Sequence, residues 1–291
     1  MKSLQAKQAI TAWKMLSISL ILLMLVAAYP LAKTFYFSFT NARLDDLEGA
    51  TFNGIENYKT LFNDELWWQS VGTTLKFTGI SVSIELVLGL AIALALSKDF
   101  PFRSFVRAMI LIPWAIPTVV STRIWEWMYN EQYGFINHIL LKLHVVDSAM
   151  AFLAEPSMQM YSVVLIDVWK TTPFMVLLLL AGLTTISTEV HEAAKVDGAT
   201  PWQSFWKVTL PLLKPTILVA LTFRVLDSLR VFDVFYVLFS NNEKTSTMSI
   251  YARTQLIDFQ EMGIGSAASV MIFLIIGIFI LMQTLFLRKE T

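Results

Sequence analysis

Cysteine is absent from the chain, which removes disulfides, thiolate metal sites and cysteine nucleophiles in one step. Histidine is scarce: His138, His144 and His191 are too scattered to suggest a metal cluster. No G-x-x-x-x-G-K-[ST] run occurs, so the chain cannot cradle nucleotide phosphates in the P-loop manner. No nucleophile and base cluster appears, and neither a catalytic residue nor a resident metal or cofactor is expected. Charge is thin as well, 15% of 291 residues, where a soluble domain carries about a quarter. Lys plus Arg equals Asp plus Glu, a balance that speaks for no nucleic-acid partner.

Hydrocarbon takes the place of charge. Apolar and aromatic residues make up 56% of the chain and the mean hydropathy is +0.60, which calls for a lipid-facing surface. A bilayer core needs roughly 20 residues of helix, and the runs of that length lie at about Met15 to Phe37, Val71 to Leu96, Ala108 to Met128, Met158 to Thr184, Thr216 to Phe239 and Ile264 to Leu287. They are long and mostly apolar throughout, without the short alternating segments of a closed barrel. The expected fold is therefore all-α and polytopic, with six transmembrane helices in a single domain over residues 1–291 whose core is 70–287. The first run exceeds the apolar stretch of a cleavable signal and is followed by Phe35, Tyr36, Phe37 and Phe39, so it reads as a retained anchor.

Orientation follows from basic residues in the connections. One side collects Lys2, Lys7, Lys14, Lys98, Arg103, Arg107, Lys195, Lys207, Lys214, Arg288 and Lys289. The other has Arg43, Lys59, Lys142, Lys244 and Arg253, mixed with acids. The richer side is expected to be the cytoplasm, with both termini on it. Trp67, Trp68, Trp125, Trp127, Tyr129 and Tyr133 fall near the outer boundaries, where amphipathic rings prefer to sit.

Between the fourth and fifth runs, at about 186–214, the connection is patterned as a helical hairpin. Thr188 is placed to cap a short helix with Glu189 and Glu192 in its first turn. Val190, Ala193, Ala194 and Asp197 share one face, and Gly198 supplies the left-handed stop. Thr200, Pro201 and Gln203 spell a capping box at the start of a second helix. Trp202, Phe205 and Trp206 lie on one side of it, more aromatic surface than a solvated loop carries, and Pro211 and Pro215 are expected to bend the chain into the fifth span. Packing against the chain's own spans, or on the membrane surface, would also account for such a hairpin.

Ionisable residues within spans usually face a cavity or a partner. Apart from Lys33 and Lys76, close enough to span ends to snorkel outward, they are Glu85, Arg123, Glu126, Asp167, Lys170, Arg224, Asp227, Arg230 and Asp233. Arg123 with Glu126, Asp167 with Lys170, and the series from Arg224 to Asp233 are spaced for local neutralisation. The alternative is that Asp167, Lys170, Arg224, Asp227, Arg230 and Asp233, with Trp169 and Tyr236 nearby, line a polar pathway. Carboxylate acceptors, Lys or Arg donors and an aromatic face would suit sugar hydroxyls.

Glu192, Ala193 and Ala194, then Gly198, Val208, Leu210 and Pro211 resemble the coupling signature E-A-A-x3-G-x9-I-x-L-P of permeases from binding-protein-dependent ABC importers, with Val208 in place of Ile. Arg103 to Arg107, Ile112 to Pro117, Val168 to Phe174 and Arg230 to Leu238 are similar to the third, fourth and fifth spans of the carbohydrate-uptake branch, of the maltose, trehalose and glycerol-phosphate type. Ser240, Asn241 and Asn242 stand where many relatives have Gly-Gly-Pro.

The resemblance implies a type I importer permease in a bacterial or archaeal plasma membrane. It implies that the segment holding Glu192, Ala193, Ala194, Val196, Asp197, Gly198 and Ala199, with Leu210 and Pro211, sits against a separate ATP-binding subunit. Implied partners are two such subunits carrying ATP and Mg, a second and unlike permease, an extracytoplasmic solute-binding protein and a di- or oligosaccharide. A secondary transporter, a glycerol-phosphate permease and a non-transporting membrane scaffold are the other readings.

Overall fold

The computed structural model describes residues 2–288; Lys289 of the basic series lies outside the described residues. Helices α1 (Lys2–Leu23) and α2 (Tyr29–Phe37) are joined by a π-helical turn at Met24–Ala28. They are followed by α3 (Glu56–Asn63), α4 (Glu65–Ser97), α5 (Arg103–Ile110), α6 (Ile112–Ala115), α7 (Thr118–Met128) and α8 (Phe135–Lys142). Then come α9 (Pro156–Thr184), α10 (Thr188–Val196), α11 (Pro201–Ser204), α12 (Leu210–Ser228), α13 (Asp233–Phe239), α14 (Met248–Arg253) and α15 (Met262–Arg288). No strand occurs among the described residues, only isolated bridges of Thr40 with Phe52 and Arg43 with Asp46.

Five helical runs are long and apolar enough to cross a membrane: Thr11–Phe37, Glu65–Ser97, Pro156–Thr184, Pro201–Phe239 and Met262–Gln283. The third span expected from sequence, one rod from Ala108 to Met128, is broken instead: Arg103–Ala115 and Thr118–Met128 meet at 90°. Ile116 is extended (φ −76°, ψ 134°) because the ring of Pro117 disfavours the helical region for the residue before it. Counting that bent pair as one span gives six. The fifth span is interrupted too. Its helix stops at Ser228 and resumes at Asp233, with Phe232 between them at φ −136°, ψ −61°.

The chain divides into two compact units, one holding the segments up to Glu65 and Tyr251–Leu274, the other Leu66–Ile250 and the residues from Ile275 on. The first unit is tied by the loop between α2 and α3. Asn57 donates to the carbonyls of Ser38 (2.9 Å) and Thr40 (2.7 Å), and Arg43 pairs with Glu261 at 2.5 Å. Tyr251 donates to Asp64 at 2.6 Å; burial first, and then that carboxylate, push its phenol well above the usual tyrosine range.

The second unit is organised by α4, α9 and α12. Gly89 lets α9 approach α4, since a Cβ there would overlap the Met175 side chain. Two apolar clusters form along these helices. One contains Phe77, Val163, Val164 and Ile166 with Val234 and Phe235 of α13. The other contains Ala93, Met175, Val176, Leu179, Leu213 and Ala220. Between them along α4 fall Ser81 and Glu85, and along α9 Asp167, Lys170 and Thr171, while Arg224 lies four residues beyond Ala220 on α12; all are buried.

Candidate functional site

The buried polar residues form one network. Arg224 Nε donates to Glu85 Oε2 at 2.5 Å, and Nη2 to Glu85 Oε1 at 2.8 Å and Asp167 Oδ2 at 3.0 Å. Nη1 donates to Asp227 at 2.9 Å. Ser81 Oγ lies 2.9 Å from Glu85 Oε1 and 2.5 Å from Asp167 Oδ2, and Thr171 Oγ1 donates to Glu85 at 2.7 Å. Glu85 is fully buried, and a carboxylate in that position persists only when paired and fully hydrogen-bonded. One guanidinium thus gathers carboxylates from three helices.

A cavity of about 290 Å³ opens on this network, with Asp167, Lys170, Arg224, Asp227, Arg230 and Asp233 in its polar wall and Phe77, Trp114 and Phe232 as apolar surfaces. A second one of about 250 Å³ shares Trp114, Thr171, Arg224, Asp227 and Arg230 with it. Trp114 is brought here by the break at Pro117, and stacks on Phe174 with ring centroids 5.7 Å apart. The interruption after Ser228 puts Arg230, Val231 and Phe232 into the lining. Lys170 makes no hydrogen bond or ion pair among the described residues, although it is buried and borders the cavity.

Six of the eight pathway candidates therefore converge. Trp169 and Tyr236 are outside the lining: Trp169 packs edge-on against Trp125 at 5.6 Å, and Tyr236 stacks on Phe232 at 4.9 Å. On α9 the face of Asp167, Lys170 and Thr171 follows helical spacing, and Trp169 points about 200° away from Asp167. Local pairing is also corrected. Asp167 takes Arg224 as its partner, not Lys170. Arg224 and Asp227 do pair, and Asp227 reaches Arg230 loosely at 3.7 Å, but Asp233 lies beyond the helix break and has no ion pair among the described residues. Arg123 and Glu126 pair at 2.6 Å. Glu85 was named from sequence as a charge within a span but not as a pathway candidate, and Thr171, Ser81 and Trp114 were not among the candidates; a lone carboxylate four residues after a serine in the long apolar α4 was the available signal for the first.

The hairpin is the second feature. Ser187, not Thr188, occupies the cap position of α10, and its side chain makes no capping bond; Thr188 is already helical, so its hydroxyl cannot face the first-turn amides. At the other end Gly198 has φ +78°, and a Schellman pair closes the helix, Gly198 N–H to the Lys195 carbonyl (3.0 Å) and Ala199 N–H to that of Ala194 (2.9 Å). The capping box of Thr200 and Gln203 is present. Beyond it Pro211 and Pro215 do not end the helix: α11 runs through a π turn at Phe205–Thr209 into α12, with Pro211 in the first turn. Ala194 is buried, whereas Glu192, Ala193, Asp197, Gly198 and Pro211 are exposed, and Val196 is 87% exposed. Trp202, Phe205 and Trp206 touch one another, and Trp202 is 70% exposed.

The chain is 44% identical over 226 residues to the trehalose/maltose transport system permease protein MalF of Thermococcus litoralis, covering 77% of this chain and 76% of that one. It is 39% identical over 262 residues to the trehalose transport system permease protein SugA of Mycobacterium tuberculosis, covering 90% and 83%. Its fold is like that of a chain in the crystal structure of a bacterial ABC transporter that imports the acidic polysaccharide alginate, with a TM-score of 0.85 and 22% identity over 99% of this chain and 98% of that one. The family described as binding-protein-dependent transport system inner membrane component matches residues 85–291, and the chain belongs to that family, as a membrane-spanning permease subunit of the ABC transporter class.

Proposed function

We propose that this chain forms half of the translocation pathway of an ATP-driven importer for a di- or oligosaccharide of the trehalose or maltose kind. The observation that carries the sugar reading is the cavity beside Arg224. It offers carboxylate acceptors at Asp167, Asp227 and Asp233, donors at Lys170 and Arg230, and the flat ring of Trp114, the mixture that hydroxyl-rich, weakly apolar rings require. Both relatives named for trehalose support the same class.

The hairpin supports coupling to a separate ATPase. Its exposed small-residue ridge, with Ala193 beside Glu192 and a protruding Val196, is shaped to enter a groove, and Trp202 and Trp206 offer apolar surface to whatever covers them. On this reading two ATP-binding subunits hold nucleotide and Mg, a second, unlike permease completes the pathway, and a solute-binding protein delivers sugar from outside. The basic residues of the hairpin then lie in the cytoplasm with both termini.

ATP hydrolysis by the reconstituted complex, measured with binding protein loaded in turn with trehalose, maltose and glycerol phosphate, tests the proposal. Stimulation by a loaded disaccharide form is expected. Stimulation by glycerol phosphate alone would favour the second reading, an anionic solute, for which the unpaired Lys170 is the specific observation. Uptake by this chain alone in vesicles would overturn the dependence on separate ATP-binding subunits.

A further inference from the structure

A cavity of about 250 Å³ lies away from the polar network, bounded by Leu96 at the end of α4, Ile110 and Leu111 after α5, and Leu177, Leu180 and Ala181 of α9. Its lining is hydrocarbon except at Arg107 and at Thr184, whose hydroxyl already donates to the Ala181 carbonyl. Arg107 Nη2 donates to the Leu96 carbonyl at 2.8 Å. Its Nε–H is buried and has no hydrogen-bond partner. A buried donor of that kind calls for an acceptor that the chain itself does not supply.

The surroundings say what sort of molecule brings one. α5 is amphipathic. Arg103 and Arg107 follow each other at helical spacing on one face, while Phe105 and Met109 are exposed on the other. Phe102 precedes the helix in the left-handed region, φ +63°, with an 82% exposed ring. Such a helix is suited to the plane of a membrane boundary, with its apolar face toward the acyl region. Lys98 and Arg103 stand at the same end of α4, where Arg103 pairs with Asp99. The site therefore combines a cationic mouth at headgroup level with an apolar slot running toward α9.

We propose that this cavity is a binding site for an anionic phospholipid, with the phosphate accepting from Arg107 Nε–H and one acyl chain filling the slot beside Leu177 and Leu180. Charge complementarity selects the anionic headgroup: Lys98 and Arg107 are both cations without an ion-pair partner among the described residues. A sugar is a poor occupant, because the walls offer its hydroxyls almost nothing. A helix of another protein could fill the slot but would leave the buried N–H unmet unless it carried an acceptor at that depth. The slot also reaches Thr184, the last residue of α9 before the hairpin, so its occupant touches the root of the coupling segment.

The test is lipid retention by the full chain, purified with the subunits that accompany it, delipidated, and exposed to phosphatidylglycerol or phosphatidylcholine with the same acyl chains. Bound lipids are counted by native mass spectrometry. Wild type is expected to retain phosphatidylglycerol in preference to phosphatidylcholine. Arg107→Gln, which can still donate to Leu96, should lower phosphatidylglycerol retention roughly fivefold, the worth of one basic residue against an anionic headgroup. Ala181→Phe, which fills the slot and leaves Arg107 in place, should lower it as well. If Arg107→Gln melts early, Arg107→Lys must restore both melting and retention. Unchanged retention in Arg107→Gln and Ala181→Phe would overturn the proposal, as would equal loss of both lipids, or displacement of the bound lipid by inorganic phosphate at the concentration of the lipid.

Discussion

Arg224 and Glu85, 139 residues apart in sequence, meet in a two-pronged contact, with Nε on Oε2 at 2.5 Å and Nη2 on Oε1 at 2.8 Å. Each is almost wholly buried, so neither charge has water as an alternative partner. Removing one partner of such a pair costs about 3–5 kcal/mol, because the other is left uncompensated. Arg224→Met should therefore lower the melting temperature of the detergent-solubilised protein steeply. Glu85→Gln, which keeps hydrogen-bonding capacity, should cost less, and the double variant Glu85→Gln with Arg224→Met should be less destabilised than the sum of the two singles. Additive losses would mean that the two side chains do not act as a unit.

Lys170 is the opposite case. It sits 9% exposed beside the cavity, yet it holds nothing in place. Lys170→Met is expected to change the melting temperature by less than about 1 kcal/mol equivalent while altering uptake, most strongly for solutes that carry negative charge. A loss of folded protein with unaltered selectivity would make it a structural residue.

At Gly198 the argument is conformational, not steric. The backbone has φ +78°, and nothing lies within 4 Å of where a Cβ would be. Asparagine tolerates the left-handed region and valine does not. Gly198→Asn should keep transport close to normal. Gly198→Val should leave the spans folded but lower the stimulation of ATP hydrolysis by loaded binding protein, because the Schellman closure of α10 is lost. Equal behaviour of the two variants would remove the backbone from the explanation.

Gly89 makes a steric prediction. A Cβ would approach Met175 Cγ to 2.6 Å, and overpacking of this kind costs typically about 1–3 kcal/mol. Gly89→Ala should lower thermal stability, and Met175→Ala added to it should recover part of the loss by opening the same space. Failure of that rescue would show that α4 and α9 are kept apart by other contacts.

These residues also show what a sequence makes legible. Spans, the capping box at Thr200 and the stop at Gly198 are written in neighbouring residues, because hydrophobic length and helix-end chemistry are local properties. Pro117 was visible, but whether a proline kinks a helix or breaks it outright depends on what its neighbours pack against, and here Ile116 goes extended. The partner of Asp167 could not be read, since a local Lys170 and a distant Arg224 are equally good on paper; only the packing of α12 against α9 decides. Glu85 stood out as a charge in lipid but gave no hint of its partner for the same reason. Trp169 and Tyr236 were proposed for proximity along the chain, and helical phase turned Trp169 away.

The distance between Glu85 and Arg224 along the chain also has a temporal meaning. A ribosome adding about 5–20 residues per second needs on the order of ten seconds to make the stretch that separates them. Glu85 is thus committed to an apolar segment before its guanidinium has been synthesised, and Asp167, 57 residues ahead of Arg224, waits less long. Until then the second and fourth spans each carry a carboxylate that lipid cannot solvate. During biogenesis they must be hydrated or held at the insertion machinery, and the network that Arg224 closes is complete only when the fifth span arrives.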